Sequence, residues 1–235
     1  MKKISLFLII LLSFKSYAQS KADAILEIKP STKPANQFRR FYVPSALIIG
    51  GLISEIDFKN SLNFKLYEEI NKDIPNFKTS ADDYLQYLPV LLAYGFDALG
   101  MPSKTDFINR SIILLKSEVL MTGAVTGLKY TIRELRPDSS ARNSVPSGHT
   151  AQAFAAAAFL SEEYGKKYKW VPYLSYGLAS TVGTLRIMNN KHYLSDVLIG
   201  AGIGILSTKI SYWTHQFKRS KRKKQVLSNF DITNV

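Results

Sequence analysis

The sequence contains no cysteine and only three histidines among its 235 residues. The absence of cysteine excludes disulfide bonds, thiol catalysis and cysteine-based metal sites, and it decides nothing about the compartment. With three histidines, a metal centre built from several imidazoles and carboxylates has few candidate ligands. No uninterrupted apolar run reaches eighteen residues, so length alone identifies no clean membrane-spanning segment.

Negative charge is also scarce, because 18 acidic residues stand against 31 basic ones and the formal net charge is +13. Such an excess suits an anionic partner, whether phosphate groups, an acidic membrane surface or nucleic acid. The sequence has no recognisable nucleic-acid-binding motif, so we do not expect nucleic acid as a partner. Six positive charges fall within residues 218–224. They predict a basic tail, residues 216–235, that contacts an anionic membrane surface.

The first eighteen residues are typical of a secretory signal. Lys2 and Lys3 precede an apolar stretch over residues 4–12, and residues 16–18 form a small-x-small cleavage site before Gln19. The alternative is an uncleaved N-terminal anchor. Both interpretations predict that the chain is exported to the cell envelope.

Helical patterns dominate from Tyr84 onward, and no alternating strand pattern is present. We therefore predict an all-α helical bundle over residues 84–215, preceded by a lead-in with amphipathic segments over residues 19–83. Gly200 and Gly204 have the small-xxx-small spacing that lets helices pack closely. The predicted helices cover residues 41–54, 84–100, 111–135, 146–164, 170–185 and 193–215.

The distribution of charge bears on whether these helices cross a membrane. If they alternate across a bilayer, one side receives the basic tail and five further cations: Lys104, Arg110, Lys166, Lys167 and Lys169. Because positive charge favours the cytoplasmic side, the opposite ends of the helices would face the periplasm. Hydropathy alone favours core helices of a soluble protein. Inner-membrane and soluble periplasmic locations therefore both remain open.

The stretch from Arg186 to Asp196 is the first candidate site. His192 and Asp196 are four residues apart, so on a helix they share a face and can touch. A carboxylate fixes the tautomer of an imidazole and raises its basicity, and a guanidinium can hold the oxygens of a phosphate that the imidazole attacks. Lys129 and Arg136, seven residues apart, are predicted to share a helix face and grip one oxyanion. The alternatives are a capping aspartate, a buried histidine and solvated cations.

The tetrapeptide that begins at Pro146 is the second candidate site, because it is predicted to open a helix. Helix N-termini have unpaired N–H groups and the positive end of the helix dipole, and they bind anions. Gly148 allows close approach of the backbone, Ser147 offers a hydroxyl, and His149 can protonate a departing oxygen. The alternative is an ordinary N-cap at Ser147. The chain has no Gly-x-Ser-x-Gly turn, which argues against Ser147 as a nucleophile.

Together these residues resemble the three signature motifs of the type 2 phosphatidic acid phosphatase (PAP2) superfamily, which also contains bacterial non-specific acid phosphatases and vanadium haloperoxidases. The resemblance extends over roughly residues 84–213, and the order and internal spacings match. One position departs from the family pattern, because Leu185 stands where a serine is usual and offers no hydroxyl to a phosphate. The matching motifs are Lys129-x6-Arg136-Pro137, Pro146-Ser147-Gly148-His149 and Arg186-x5-His192-x3-Asp196.

The resemblance implies a role for each residue. His192 attacks phosphorus and forms a phosphohistidine, Asp196 orients it, and His149 protonates the leaving oxygen and then activates water. Neither a metal nor another cofactor is expected, because cations of the chain neutralise the phosphoryl group. The phosphate-binding residues implied are Lys129, Arg136, Ser147, Gly148 and Arg186.

The function predicted on this basis is a metal-independent envelope phosphatase with a periplasmic site, acting on a lipid phosphate or diphosphate. Candidate substrates, by family resemblance, are undecaprenyl diphosphate, phosphatidic acid, phosphatidylglycerol phosphate and the 1-phosphate of lipid A. A soluble periplasmic acid phosphatase acting on small phosphomonoesters is the main alternative. A vanadate-dependent haloperoxidase, a metal phosphatase and a non-catalytic lipid-phosphate binder are the others. Specificity is expected to lie in residues 19–83 and 138–145.

Overall fold

Residues 38–54 and 61–216 are described by the structure, a computed structural model, and every regular element among them is helical. The predicted all-α class is confirmed. The signal segment, residues 19–37 and 55–60 of the lead-in, and the charged part of the basic tail lie outside these residues. After a short 3-10 turn at Phe38–Phe41, the helices are α1 (Tyr42–Ser54), α2 (Leu62–Asp73), α3 (Ala81–Leu85), α4 (Leu88–Ala98), α5 (Phe107–Ile132), α6 (Gly148–Tyr164), α7 (Val171–Met188) and α8 (Leu194–Trp213).

The predicted single helix over residues 84–100 is wrong. The chain is helical over α3, turns at residues 86–87, and becomes helical again at Leu88. Pro89 lies in the first turn of α4, where a missing backbone N–H costs nothing because it would be unpaired there. The apolar pattern runs through both helices, so it does not show this break.

The ends of α5 also differ from the prediction. The Asp106 carboxylate caps the helix by accepting hydrogen bonds from the backbone N–H groups of Ile108 and Asn109, at 3.1 and 3.0 Å. The helix ends at Ile132 because Arg133 adopts a left-handed conformation with φ 53°. Arg136 therefore lies in the following loop, and the prediction that it shares a helix face with Lys129 is wrong.

Helix α8 is the centre of the bundle and packs against α1, α5 and α6. Its glycines allow the backbones of α6 and α8 to approach closely, as their spacing predicts. A Cβ at Gly204 would lie 2.2 Å from the Ala151 carbonyl oxygen, and one at Gly200 would lie 2.6 Å from the Ser147 carbonyl oxygen. Because these contacts involve backbone atoms, only glycine allows this separation.

Helix α5 buries several polar residues and leaves several large apolar residues exposed. Ser117, which is buried, hydrogen-bonds to Thr208 of α8 at 2.7 Å, while Ile108, Leu115 and Val119 are 66%, 64% and 64% exposed. Both α5 and α8 are long and apolar enough to cross a membrane, but α8 is largely buried, as the core helix of a soluble protein would be. The outward apolar surface of α5 is what favours a membrane protein.

Candidate active site

Four helix ends meet at one end of the bundle, which we call the site end. Helices α5 and α7 finish there, and α6 and α8 begin there. The Ser147 N–H donates to the Asp196 carbonyl oxygen at 3.0 Å, which joins the starts of α6 and α8. The Lys129 ammonium, from the last turn of α5, donates to the carbonyl oxygens of Asn143 and Ser144 in the loop before α6. The three sequence motifs are therefore brought together.

His192 and Asp196 form a buried pair at the start of α8. The Asp196 Oδ2 atom lies 3.2 Å from His192 Nδ1 and accepts a hydrogen bond from the Tyr193 N–H at 3.0 Å. Both side chains are almost fully buried, at 1% and 0% exposure. The predicted contact is present, although His192 precedes the helix and meets the aspartate in its first turn. Because a carboxylate accepts the Nδ1 proton, Nε2 is left with the lone pair that can attack an electrophile.

Burial sets the protonation state of this imidazole. Loss of hydration lowers the pKa of His192 to about 4, against the opposing effect of the Asp196 carboxylate. The positive charges of Arg186 and Lys129 lower this pKa further. His192 is therefore neutral at neutral pH, which is the form that acts as a nucleophile.

Ser144 connects this pair to Lys129. Its hydroxyl donates to Asp196 Oδ2 at 2.5 Å, and its carbonyl oxygen accepts a hydrogen bond from the Lys129 ammonium. The serine is fully buried. Sequence reasoning missed this residue, because nothing in the residue pattern separates it from the neighbouring Ser139 and Ser140.

Three cations gather beside the His192–Asp196 pair. Lys129, Arg136 and Arg186 lie close enough to interact electrostatically, and burial together with the Arg186 guanidinium lowers the pKa of Arg136. The Nε atoms of Arg136 and Arg186 are buried and find no hydrogen-bond partner within residues 38–54 and 61–216. A buried, unpaired cationic N–H is costly, so this arrangement suits a bound anion.

The start of α6 is built as its sequence predicts. Ser147 is the N-cap, and its Oγ accepts hydrogen bonds from the Thr150 N–H at 3.4 Å and the Thr150 hydroxyl at 2.9 Å. Its own hydroxyl proton is thus available to another acceptor. Gly148 begins the helix, and a Cβ there would meet nothing closer than a Val125 methyl at 3.8 Å. Among the described residues, no contact therefore forces glycine at this position.

Two carboxylates from α3 complete the site. Asp82 Oδ2 lies 2.6 Å from Arg186 Nη1, and Asp83 Oδ1 lies 2.8 Å from His149 Nε2. The sequence suggests only that these aspartates suit a helix N-terminus, and it misses their partners, which are 104 and 66 residues away. The ligand atoms of Asp82, Asp83 and His149 lie within 4.8 Å of one another, so this group has the composition of a cation site as well.

Comparisons with known proteins identify relatives of this chain. The chain is 34% identical over 169 residues to lipid A 1-phosphatase of Porphyromonas gingivalis, covering 67% of this chain and 38% of that protein. The crystal structure of LpxE from Aquifex aeolicus has a TM-score of 0.50 at 26% identity, covering 65% of this chain and 96% of that one. Residues 111–220, which contain all three motifs, match the PAP2 superfamily. The chain belongs to the PAP2 superfamily.

A second match is shorter. The bacitracin transport permease protein BcrC of Bacillus licheniformis is 40% identical over 72 residues, covering 31% of this chain and 34% of that protein. The chain thus spans well under half the length of both relatives. Membership of the PAP2 superfamily rests on the helical segment that carries the motifs.

Proposed function

We propose that this PAP2 protein is a metal-independent phosphatase that hydrolyses a lipid phosphate or diphosphate, with its site facing the periplasm. One observation carries the proposal. A buried, neutral imidazole oriented by Asp196 lies beside Arg136 and Arg186, whose buried Nε atoms have no hydrogen-bond partner in the described part of the chain. This combination provides a nucleophile and an oxyanion site together.

The reaction has two steps. In the first, His192 Nε2 attacks phosphorus, the bond from phosphorus to the lipid oxygen breaks, and His149 gives that oxygen a proton. In the second, His149 takes a proton from water, the water oxygen attacks phosphorus, and the phosphorus–nitrogen bond breaks. Phosphate leaves and His192 is restored. Lys129, Arg136 and Arg186 neutralise the charge on the non-bridging oxygens in both steps.

The surface of α5 supports a lipid as the substrate. This helix is about 39 Å long at 1.5 Å per residue, enough to cross the ~30 Å hydrocarbon core of a bilayer. Its last turns expose Tyr130 and Ile132 at 73% and 48%, next to Lys129. A lipid lying along α5 would bring its phosphate to the site end. The name of the lipid A 1-phosphatase relative agrees with this substrate class.

Phosphate release by the purified protein tests the activity. A panel of lipid A, phosphatidic acid, phosphatidylglycerol phosphate and undecaprenyl diphosphate is compared with p-nitrophenyl phosphate. We expect release from at least one lipid, inhibition by vanadate, and loss of release in His192→Ala. His215→Ala is the matched control, because this histidine hydrogen-bonds to Asn109 at the opposite end of the bundle. No release from any lipid by folded protein would contradict the proposal, and release from p-nitrophenyl phosphate alone would favour the acid phosphatase alternative.

The Asp82, Asp83 and His149 group is the reason to test a metal-dependent reaction directly. In the proposed reaction these side chains do not bind a metal, so EDTA treatment followed by desalting should leave the rate unchanged. Loss of activity with EDTA and recovery on adding a divalent cation would instead favour a metal phosphatase.

The absence of cysteine allows a clean test of orientation, because single cysteines can be labelled without background. Ser140 is exposed in the loop at the site end, and Lys166 is exposed at the opposite end. A membrane-impermeant thiol reagent in the periplasm should label Ser140→Cys and should label Lys166→Cys only after the inner membrane is permeabilised. The reverse pattern would contradict a periplasmic site. Labelling of both in intact cells would indicate a soluble periplasmic protein.

A further inference from the structure

Helix α3 supplies the two site contacts that the motifs do not account for. We propose that Asp83 is a positioning residue for the general acid His149 and that Asp82 is a positioning residue for the phosphate-binding Arg186. This inference rests on the phosphatase function proposed above. In this proposal α3 fixes the positions of the proton donor His149 and the phosphate-binding Arg186 relative to each other.

The contact between Asp83 and His149 determines which nitrogen exchanges the proton. Asp83 Oδ1 lies 2.8 Å from His149 Nε2, so Nδ1 is the ring nitrogen left for the leaving oxygen. A neighbouring carboxylate also favours the protonated imidazole that a general acid needs. The side chains of His149 and Asp83 are 32% and 54% exposed. Ion pairs this exposed contribute little to stability, so the pair is better explained by the orientation and charge of His149.

The contact between Asp82 and Arg186 is of a different kind. Asp82 and Arg186 are 1% and 8% exposed, and Arg186 Nη1 lies 2.6 Å from Asp82 Oδ2. Asn189 donates to the other carboxylate oxygen at 3.3 Å. Engaging one terminal nitrogen fixes the plane of the guanidinium and leaves Nε, which has no partner among the described residues, for a phosphate oxygen.

The position of α3 is itself fixed by the end of α7. The Thr79 N–H donates to Asn189 Oδ1 at 2.9 Å, and Asn189 Nδ2 donates to the Thr79 carbonyl oxygen at 2.9 Å. This reciprocal pair ties the residues before α3 to the residue that follows α7. Since adjacent residues of α3 then reach Arg186 and His149, one short helix sets the distance between the acid and the phosphate-binding cation.

The charges around His149 predict what each substitution should do. Burial lowers the pKa of His149, and the positive charge of Arg186 on α7 lowers it further. Asp83 and Asp82 of α3 act against this shift and favour the protonated form. Loss of the adjacent Asp83 charge should therefore make His149 lose its proton at lower pH. Loss of Asp82 should chiefly release Arg186 and weaken phosphate binding.

Steady-state kinetics on the lipid phosphate that the wild type hydrolyses best would separate the two roles. We expect Asp83→Asn to lower kcat by about tenfold to a hundredfold. It should also move the alkaline limb of the kcat profile down by about one pH unit, with little change in KM. Asp83→Glu should restore part of both effects. Asp82→Asn should raise KM and weaken vanadate inhibition, and it should move the alkaline limb less than Asp83→Asn does. Asp73→Asn, at an exposed position at the end of α2, is the control expected to match the wild type.

A readout that does not need turnover is available because the chain has three histidines. NMR titration of 15N-labelled imidazoles, assigned with single histidine variants, should show His149 titrating at lower pH in Asp83→Asn than in the wild type. An unchanged titration and an unchanged kcat profile, in a wild type that is active, would overturn the positioning role and leave the phosphatase assignment intact. A parallel fall of kcat, substrate affinity and unfolding temperature in both variants would indicate a structural role and would also overturn it. An inactive wild type would defeat both proposals.

Discussion

Gly204→Ala tests whether the close packing of α6 on α8 positions Ser147, at the start of α6, relative to His192, which precedes α8. The added Cβ would lie 2.2 Å from the Ala151 carbonyl oxygen and 2.8 Å from the Ala155 backbone nitrogen. Atoms in proteins essentially never approach a Cβ closer than 3.0 Å, so the first contact alone requires a shift of at least 3.0 − 2.2 = 0.8 Å. Neither neighbour is a side chain that can rotate away. The helices themselves must therefore move apart.

The expected cost follows from two opposing effects. Overpacking a well-packed interior costs about 1–3 kcal/mol, and backbone neighbours on α6 favour the upper end. Replacing a helical glycine by alanine recovers about 1 kcal/mol. The net loss should be about 2 kcal/mol, equivalent to a fall of about 4–8 °C in unfolding temperature for a chain of this size. Because Ser147 and His192 lie on either side of this interface, a displacement approaching 1 Å should also reduce kcat/KM, by up to about a hundredfold.

Thermal unfolding followed by circular dichroism in detergent, with phosphate release measured in parallel, gives both quantities. Gly177→Ala on α7 is the matched control, because a Cβ there meets nothing within 4 Å. This control should be as stable as the wild type or more stable by up to about 1 kcal/mol. If Gly204→Ala unfolded at the wild-type temperature with undiminished activity, the close approach of α6 and α8 would not be what organises the site.

Three further predictions concern single side chains. Arg136→Gln should lower kcat by about a hundredfold to a thousandfold, as loss of one oxyanion donor does, whereas Arg133→Gln, at an exposed position, should not. Asn63→Ala should lower the free energy of unfolding, measured by chemical denaturation, by about 1–3 kcal/mol. The Asn63 amide accepts a hydrogen bond from the Ser195 N–H at 2.9 Å and donates one to the Ser195 hydroxyl at 2.8 Å. The free energy of unfolding should fall as pH drops from about 6.5 towards 4. Over this range His192 binds a proton in the unfolded chain but stays neutral in the folded protein, where burial lowers its pKa to about 4. His192→Gln should lose this part of the pH dependence, and an unchanged profile would refute it.

The differences between the predicted and observed helix ends have local causes that hydrophobic patterning does not report. Helix α5 begins early because Asp106 caps it, and it ends early because Arg133 is left-handed. The seven-residue spacing of Lys129 and Arg136 predicts a shared helix face only if the helix continues, and it stops between them. The two cations still meet, because the loop after Ile132 folds back over the site end. The prediction that Lys129 and Arg136 lie close together is therefore confirmed, but the shared helix face from which it was made is absent.

The order of the motifs and the all-helical class follow from local pattern and spacing. The candidate histidines, cations and glycines of the site come from the same patterns together with the resemblance to the PAP2 motifs. Helical periodicity, N-cap chemistry and small-residue spacing act over a few residues, so they can be read along the chain. The contacts of Asp82, Asp83 and Ser144 arise only when segments more than fifty residues apart meet. No spacing rule encodes which carboxylate will face which cation. That pairing depends on how α3, α6 and α7 converge, and their convergence is set by the packing of the whole bundle.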